Sequence, residues 1–124
     1  MKIYNLLKFQ EIYQILNDIQ FPINTTYKIS RIKKYAEEEL QFYFQQLQKI
    51  IEEYGEKDEN GKYILSDEQS SIKIQPTRIS ECTAKLHELE QLEIPDIDIK
   101  LSIDELNNIN MTPSDFESLL PFIK

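Results

Sequence analysis

The run TTYKISRIKKYAEEELQFYFQQLQKIIEEY, residues 25–54, contains neither glycine nor proline, and the reading of the whole chain turns on it. Apolar side chains return at Ile29, Ile32, Ala36, Leu40, Tyr43, Leu47, Ile50 and Tyr54, with Phe44 and Ile51 widening the stripe. That spacing belongs to a helix with one buried face. Asn24 or Thr25 is placed to cap its start and Gly55 to end it. At 1.5 Å per residue the helix is about 45 Å long. Tyr35 and Phe42 fall outside the stripe, seven positions apart and nearly superposed, about 80–100° to one side of Tyr43. Either helix 1 or the C-terminal segment covers them, or they anchor another protein.

Upstream, Leu6, Phe9, Ile12, Tyr13, Leu16 and Ile19 recur every three or four residues and predict a first helix. It ends before FPIN, because Pro22 disfavours a helical conformation at Phe21. Downstream the period changes to two. Tyr63-Ile64-Leu65 and Ile72-Lys73-Ile74, joined by the polar tract SDEQSS, predict a hairpin. A third helix starts at Thr77 or Ser80, carries Ile79, Cys82, Leu86, Leu89 and Leu92 on one face, and stops at Pro95. In IPDIDIKLSI, Ile97, Ile99, Leu101 and Ile103 alternate with polar residues, which predicts a half-buried strand joining the hairpin. Ser102 with Glu105, and Thr112 with Asp115 behind Pro113, are capping-box pairs that open two short helical turns. The expected fold is a single helix-dominated α+β domain over residues 1–124: a long central helix, two flanking helices and a small antiparallel sheet made of the hairpin plus one strand.

The segment GEKDENGKYILSD, residues 55–67, imitates part of a calcium loop. Placing Gly61 at the sharp bend makes Glu56, Asp58 and Asn60 ligands and Asp67 the last one. Glu at the first position, Asp in place of a bidentate Glu at the twelfth, and no exiting helix favour a tight turn, since Asn and Gly tolerate positive φ. His87-Glu88 suggests a zinc helix, but residue 91 is Gln and the chain has no second histidine. Two glycines cannot build a phosphate-cradling loop, and Glu37, Glu38 and Glu39 fan out over about 200° of helix rather than pairing. No enzyme activity and no cofactor are expected.

The chain of 124 residues has a formal charge of −8, distributed unevenly. Residues 1–35 carry six basic side chains against two acidic, and residues 36–124 carry eight against twenty. The cations of YKISRIKK point to several sides and leave no stripe that tracks phosphates. Direct nucleic-acid binding is therefore not expected; a partner with a basic surface is. Tyr35 and Phe42, with the carboxylates Glu37, Glu38, Asp58 and Glu59, are the candidate contact residues. Self-association through the long helix is the alternative use of its apolar band. Charges interrupt the apolar N-terminal stretch, and no run approaches the length of a membrane span, so a cytoplasmic protein is expected.

KIYNLLKFQEIYQIL, TTYKISRI, YGEKDENGKY, IPDIDIKLSIDEL and MTPSDFESLLPFI, in this order, resemble a family of small proteins of unknown function from bacteriophages and prophages of Gram-positive and related bacteria. The resemblance implies a setting in the host cell during infection and brings no catalytic residues. It implies either a factor that disables host machinery, such as a nucleic-acid-handling defence protein, or a virion structural or assembly component.

Overall fold

In the computed structural model, which describes residues 1–66, 71–107 and 109–124, the uninterrupted run is one helix, α2, Ile23–Tyr54. It begins two residues before Thr25, immediately after Pro22, whose carbonyl accepts from the Thr26 amide at 3.0 Å. Asn24 and Thr25 therefore lie within the first turn and do not cap it. Gly55 does follow the last helical residue, but not as a left-handed cap, because the positive φ belongs to Gly61 at 79°. The reason for glycine at 55 is space. A Cβ there would meet the Ile51 carbonyl oxygen, Ile72 Cγ2 and Tyr63 Cδ1, each at 2.8 Å.

The other helices are α1, Ile3–Leu16; α3, Ile79–Glu90; and α4, Pro113–Leu119. Short 3-10 turns occupy Pro76–Arg78, Ile103–Leu106 and Leu120–Phe122. The chain forms two compact units, one of residues 1–41 and 92–124 and one of residues 42–91.

In the first unit α1 packs on α4. Leu6, Phe9, Ile12 and Leu16 are buried, as their spacing requires, together with Ile29, Ile32, Ala36 and Leu40 of α2. Phe9 meets Phe122 with ring centroids 5.0 Å apart. Both capping boxes form: the Glu105 amide donates to Ser102 Oγ at 3.3 Å and the Asp115 amide to Thr112 Oγ1 at 3.1 Å. The stretch after α3 is tied to the start of α1, the Ile3 amide donating to the Leu92 carbonyl at 3.0 Å.

The second unit combines the rest of α2 with α3 and the segment between them. Tyr43, Tyr54 and Cys82 are buried. Arg78 stacks on the Tyr54 ring at 4.2 Å from its centroid.

No sheet forms among the described residues, so the fold is helix-dominated and the α+β assignment is corrected. Between the expected hairpin arms, 63–65 and 72–74, one isolated antiparallel bridge forms, Leu65 to Ile72; Lys57 bridges Tyr63 and Gly55 bridges Ile74, so both arms also meet the segment that leaves α2. Pairing goes no further for a local reason. The first arm follows at once on the tight turn at 58–62, and the second ends at Pro76, which has no amide to donate. Of the SDEQSS tract joining the arms, residues 67–70 lie outside the described residues. The expected strand at 97–103 is absent too. Asp98 sits in a bend, Ile103 opens a 3-10 turn, and only Leu101 makes a bridge, parallel to Ile123. Of the alternating apolar residues, Ile97 and Ile99 are half-buried, Leu101 is buried and Ile103 is exposed.

Candidate functional site

The turn at 58–62 shows what the DENG segment does. Asp58 Oδ1 accepts from the Asn60 amide at 2.8 Å and the Lys62 amide at 3.0 Å, and the Gly61 amide donates to the Asp58 carbonyl at 3.0 Å. The carboxylate is thus engaged in holding a turn that Gly61 closes at positive φ. Asn60 and Glu59 are exposed. Glu56 points elsewhere, with Oε2 closed off from solvent and Lys73 Nζ at 3.6 Å. Asp67, the last proposed ligand, lies outside the described residues. Among the described residues no three His, Cys, Asp or Glu side chains come together as a metal-binding group.

Other reactive side chains are dispersed. Cys82 is buried in α3, and burial followed by the nearby Glu53 raises its thiol pKa. His87 is exposed five residues later on the same helix. Burial likewise raises the Tyr43 hydroxyl, helped by Glu90.

A dense polar cluster belongs to the first unit. Glu105 accepts from Lys28 Nζ at 2.8 Å, from Thr25 Oγ1 at 2.6 Å, and from the Ser102 amide and hydroxyl at 3.0 and 3.2 Å. Lys28 first, then Thr25 and Ser102, hold its pKa down at about 2. Thr25 is buried, so its hydroxyl depends on this partner. The cluster joins the first turns of α2 to a segment some eighty residues away and is structural.

The candidate contact residues divide. Tyr35 is half-buried and donates to the Pro95 carbonyl, and its hydroxyl pKa is raised by burial and then by Glu39 and Asp96. Its ring is used within the first unit. Phe42 belongs to the second unit and is 46% exposed. Glu37 pairs with Lys33 at 3.5 Å, and Glu38 is exposed without an ion pair among the described residues.

Phe44, expected to widen the buried stripe, is 55% exposed and its ring stands edge-on to Tyr43, with centroids 5.3 Å apart. Tyr43 itself is buried. At 100° per residue, Phe42 and Phe44 lie about 100° to either side of it and so edge the solvent-facing half of α2. Gln45 and Gln48 fill that half. Phe42–Gln48 contains no charged residue in a chain of which 29% is charged. An exposed surface with aromatics and no charge has the composition of an interface core. The sequence signal for it was present, as an uncharged FYFQQLQ in the middle of a charged helix.

The cations of α2 are also sorted. Lys33 turns toward α1, bonding Gln10 and lying 4.5 Å from the centre of the Tyr13 ring. Lys28, Arg31 and Lys34 instead line two hollows bounded by Asp98 and Ile99, a grouping the sequence reading missed because the second wall comes from a distant segment.

No helix among the described residues is long and apolar enough to cross a membrane. Compared with known protein families, curated proteins and solved structures, the chain matches none of them.

Proposed function

We propose that this chain is a non-enzymatic protein-binding factor that acts by covering part of another protein, with the uncharged Phe42–Gln48 face of α2 seated in an apolar groove of the partner. The exposed phenylalanines edging a charge-free helix face carry this reading. It is supported by where carboxylates and hydroxyls are engaged, with Asp58 in a turn, Ser102 and Thr112 in caps, and Glu105 in a structural cluster. The net charge of −8 favours a partner whose groove is rimmed by basic side chains, since long-range attraction speeds encounter while the charge-free face makes the contact. In the phage setting suggested by the sequence resemblance, that partner is a host nucleic-acid-handling protein and the outcome is its inhibition.

A photo-crosslinking residue at position 42 or 44 tests this in bacterial cells, with position 117, on exposed α4 surface, as control. One specific adduct at 42 and 44, absent at 117 and reduced about tenfold by Phe42→Ala or Phe44→Ala in a pull-down, is expected. Identical adducts from all three positions sink the reading. Recovery of the chain only from purified virus particles favours the virion component instead.

A further inference from the structure

The early turns of α2 invert the sign of the molecule locally. Lys28, Arg31 and Lys34 line two hollows of about 410 and 420 Å3. Lys100 lines the first, and Asp98 and Ile99 form part of the wall of both. Lys28 is paired with Glu105, whereas Arg31 and Lys34 are exposed and have no ion-pair partner among the described residues. Two carboxylates, Glu38 and Asp98, line the same hollows, so cations outnumber them on a chain of charge −8.

The opposite wall has its own unused capacity. From Ile97 to Lys100 the backbone makes no hydrogen bond to another described residue, although the nearby Pro95 and Leu101 carbonyls accept from Tyr35 and Lys124. Backbone amides and carbonyls in such a stretch are satisfied by water or by an incoming chain. The helix wall runs from Asn24 to Glu38, a rise of about 21 Å, which is about six residues of extended peptide.

We propose that this groove receives an extended acidic segment of another protein, whose carboxylates meet Arg31 and Lys34 while its backbone pairs with residues 97–100. Tyr27, 61% exposed at the end of the groove, offers an apolar contact to a side chain of that segment. A nucleic-acid strand fits less well, because its phosphate backbone brings no donors to the free carbonyls of 97–100. The groove lies in the first unit and does not depend on the Phe42–Gln48 reading.

The probes are a fluorescein-labelled peptide of alternating Glu and Val, the same peptide N-methylated at alternate residues, its Lys-Val counterpart and a short single-stranded DNA. Fluorescence polarisation is expected to show saturable binding of the Glu-Val peptide that weakens with added salt. N-methylation weakens it, as does Arg31→Glu with Lys34→Glu, by about tenfold at an unchanged melting temperature. The proposal is overturned if the Glu-Val peptide does not bind, if the Lys-Val peptide or the DNA binds as well, or if binding is indifferent to salt or to the charge reversal.

Discussion

At the scale of single residues, Glu105 shows how one carboxylate joins distant segments. It accepts four hydrogen bonds, from Lys28, Thr25 and the Ser102 amide and hydroxyl, and its pKa falls from 4.5 to about 2. A carboxyl that ionises more easily in the folded state stabilises that state fully above its unfolded pKa, and the contribution disappears as pH falls through the folded value. The melting temperature should therefore drop between about pH 5 and pH 2. Glu105→Gln should be less stable than the parent at pH 7, by about 2 kcal/mol, and the gap should close toward pH 2. Thermal melts across that range check it; a constant gap would assign the loss to packing alone. The two glycines make a second test. Gly55→Ala places a Cβ 2.8 Å from the Ile51 carbonyl oxygen, part of the helix backbone, whereas Gly61→Ala meets nothing within 4 Å and strains only its φ of 79°. Gly55→Ala should cost about 2–3 kcal/mol and Gly61→Ala about 1 kcal/mol in urea melts. The order reverses if Gly55 serves only as a helix stop.

At the scale of elements, what was legible in the sequence was whatever neighbouring residues decide. Helix α2 follows from helical spacing without a breaker, and its end at Tyr54 is where Gly55 placed it, although Gly55 has no positive φ and stands where a Cβ has no room. The boxes at Ser102 and Thr112 form because cap and acceptor are three residues apart. Thr112→Ala should accordingly destabilise α4 by about 1 kcal/mol, seen as faster amide exchange at Asp115 and Phe116 with little change in α1. The sheet was misread because period-two alternation says nothing of a partner strand: Leu101 is buried after a bend at Asp98, while Ile103, the next residue of the pattern, is exposed at the start of a 3-10 turn. The same limit applies to the surfaces. Phe42 could be seen leaving the stripe, but Phe44 looked like core, and the grouping of Lys28, Arg31 and Lys34 opposite Asp98 depends on a segment some sixty to seventy residues further along the chain.

At the scale of the whole molecule, the charge division along the sequence does not survive folding. Residues 1–35 carry +4 and residues 36–124 carry −12, but the unit of residues 1–41 and 92–124 has eight basic against twelve acidic side chains and the unit of residues 42–91 has six against ten, −4 in each. Folding brings the basic early turns of α2 beside the acidic segment after α3, as in the Lys28–Glu105 pair. Apolar burial, unlike charge, is unequal. Thirteen of the buried hydrophobic residues among those described belong to the first unit, and only Tyr43, Tyr54 and Cys82 to the second. In the second, Leu47, Ile50, Leu86 and Leu89 remain half-exposed. Burial of a large apolar side chain contributes about 1.5–3 kcal/mol, so the second unit should open at lower cost. Native-state hydrogen exchange should show α3 and the last turns of α2 exchanging at lower denaturant than α1 and the early turns of α2. One helix would thus carry a step in protection along its length. Uniform protection from Ile29 to Tyr54 would mean that α2 opens only as a whole and that the two units share a single cooperative transition.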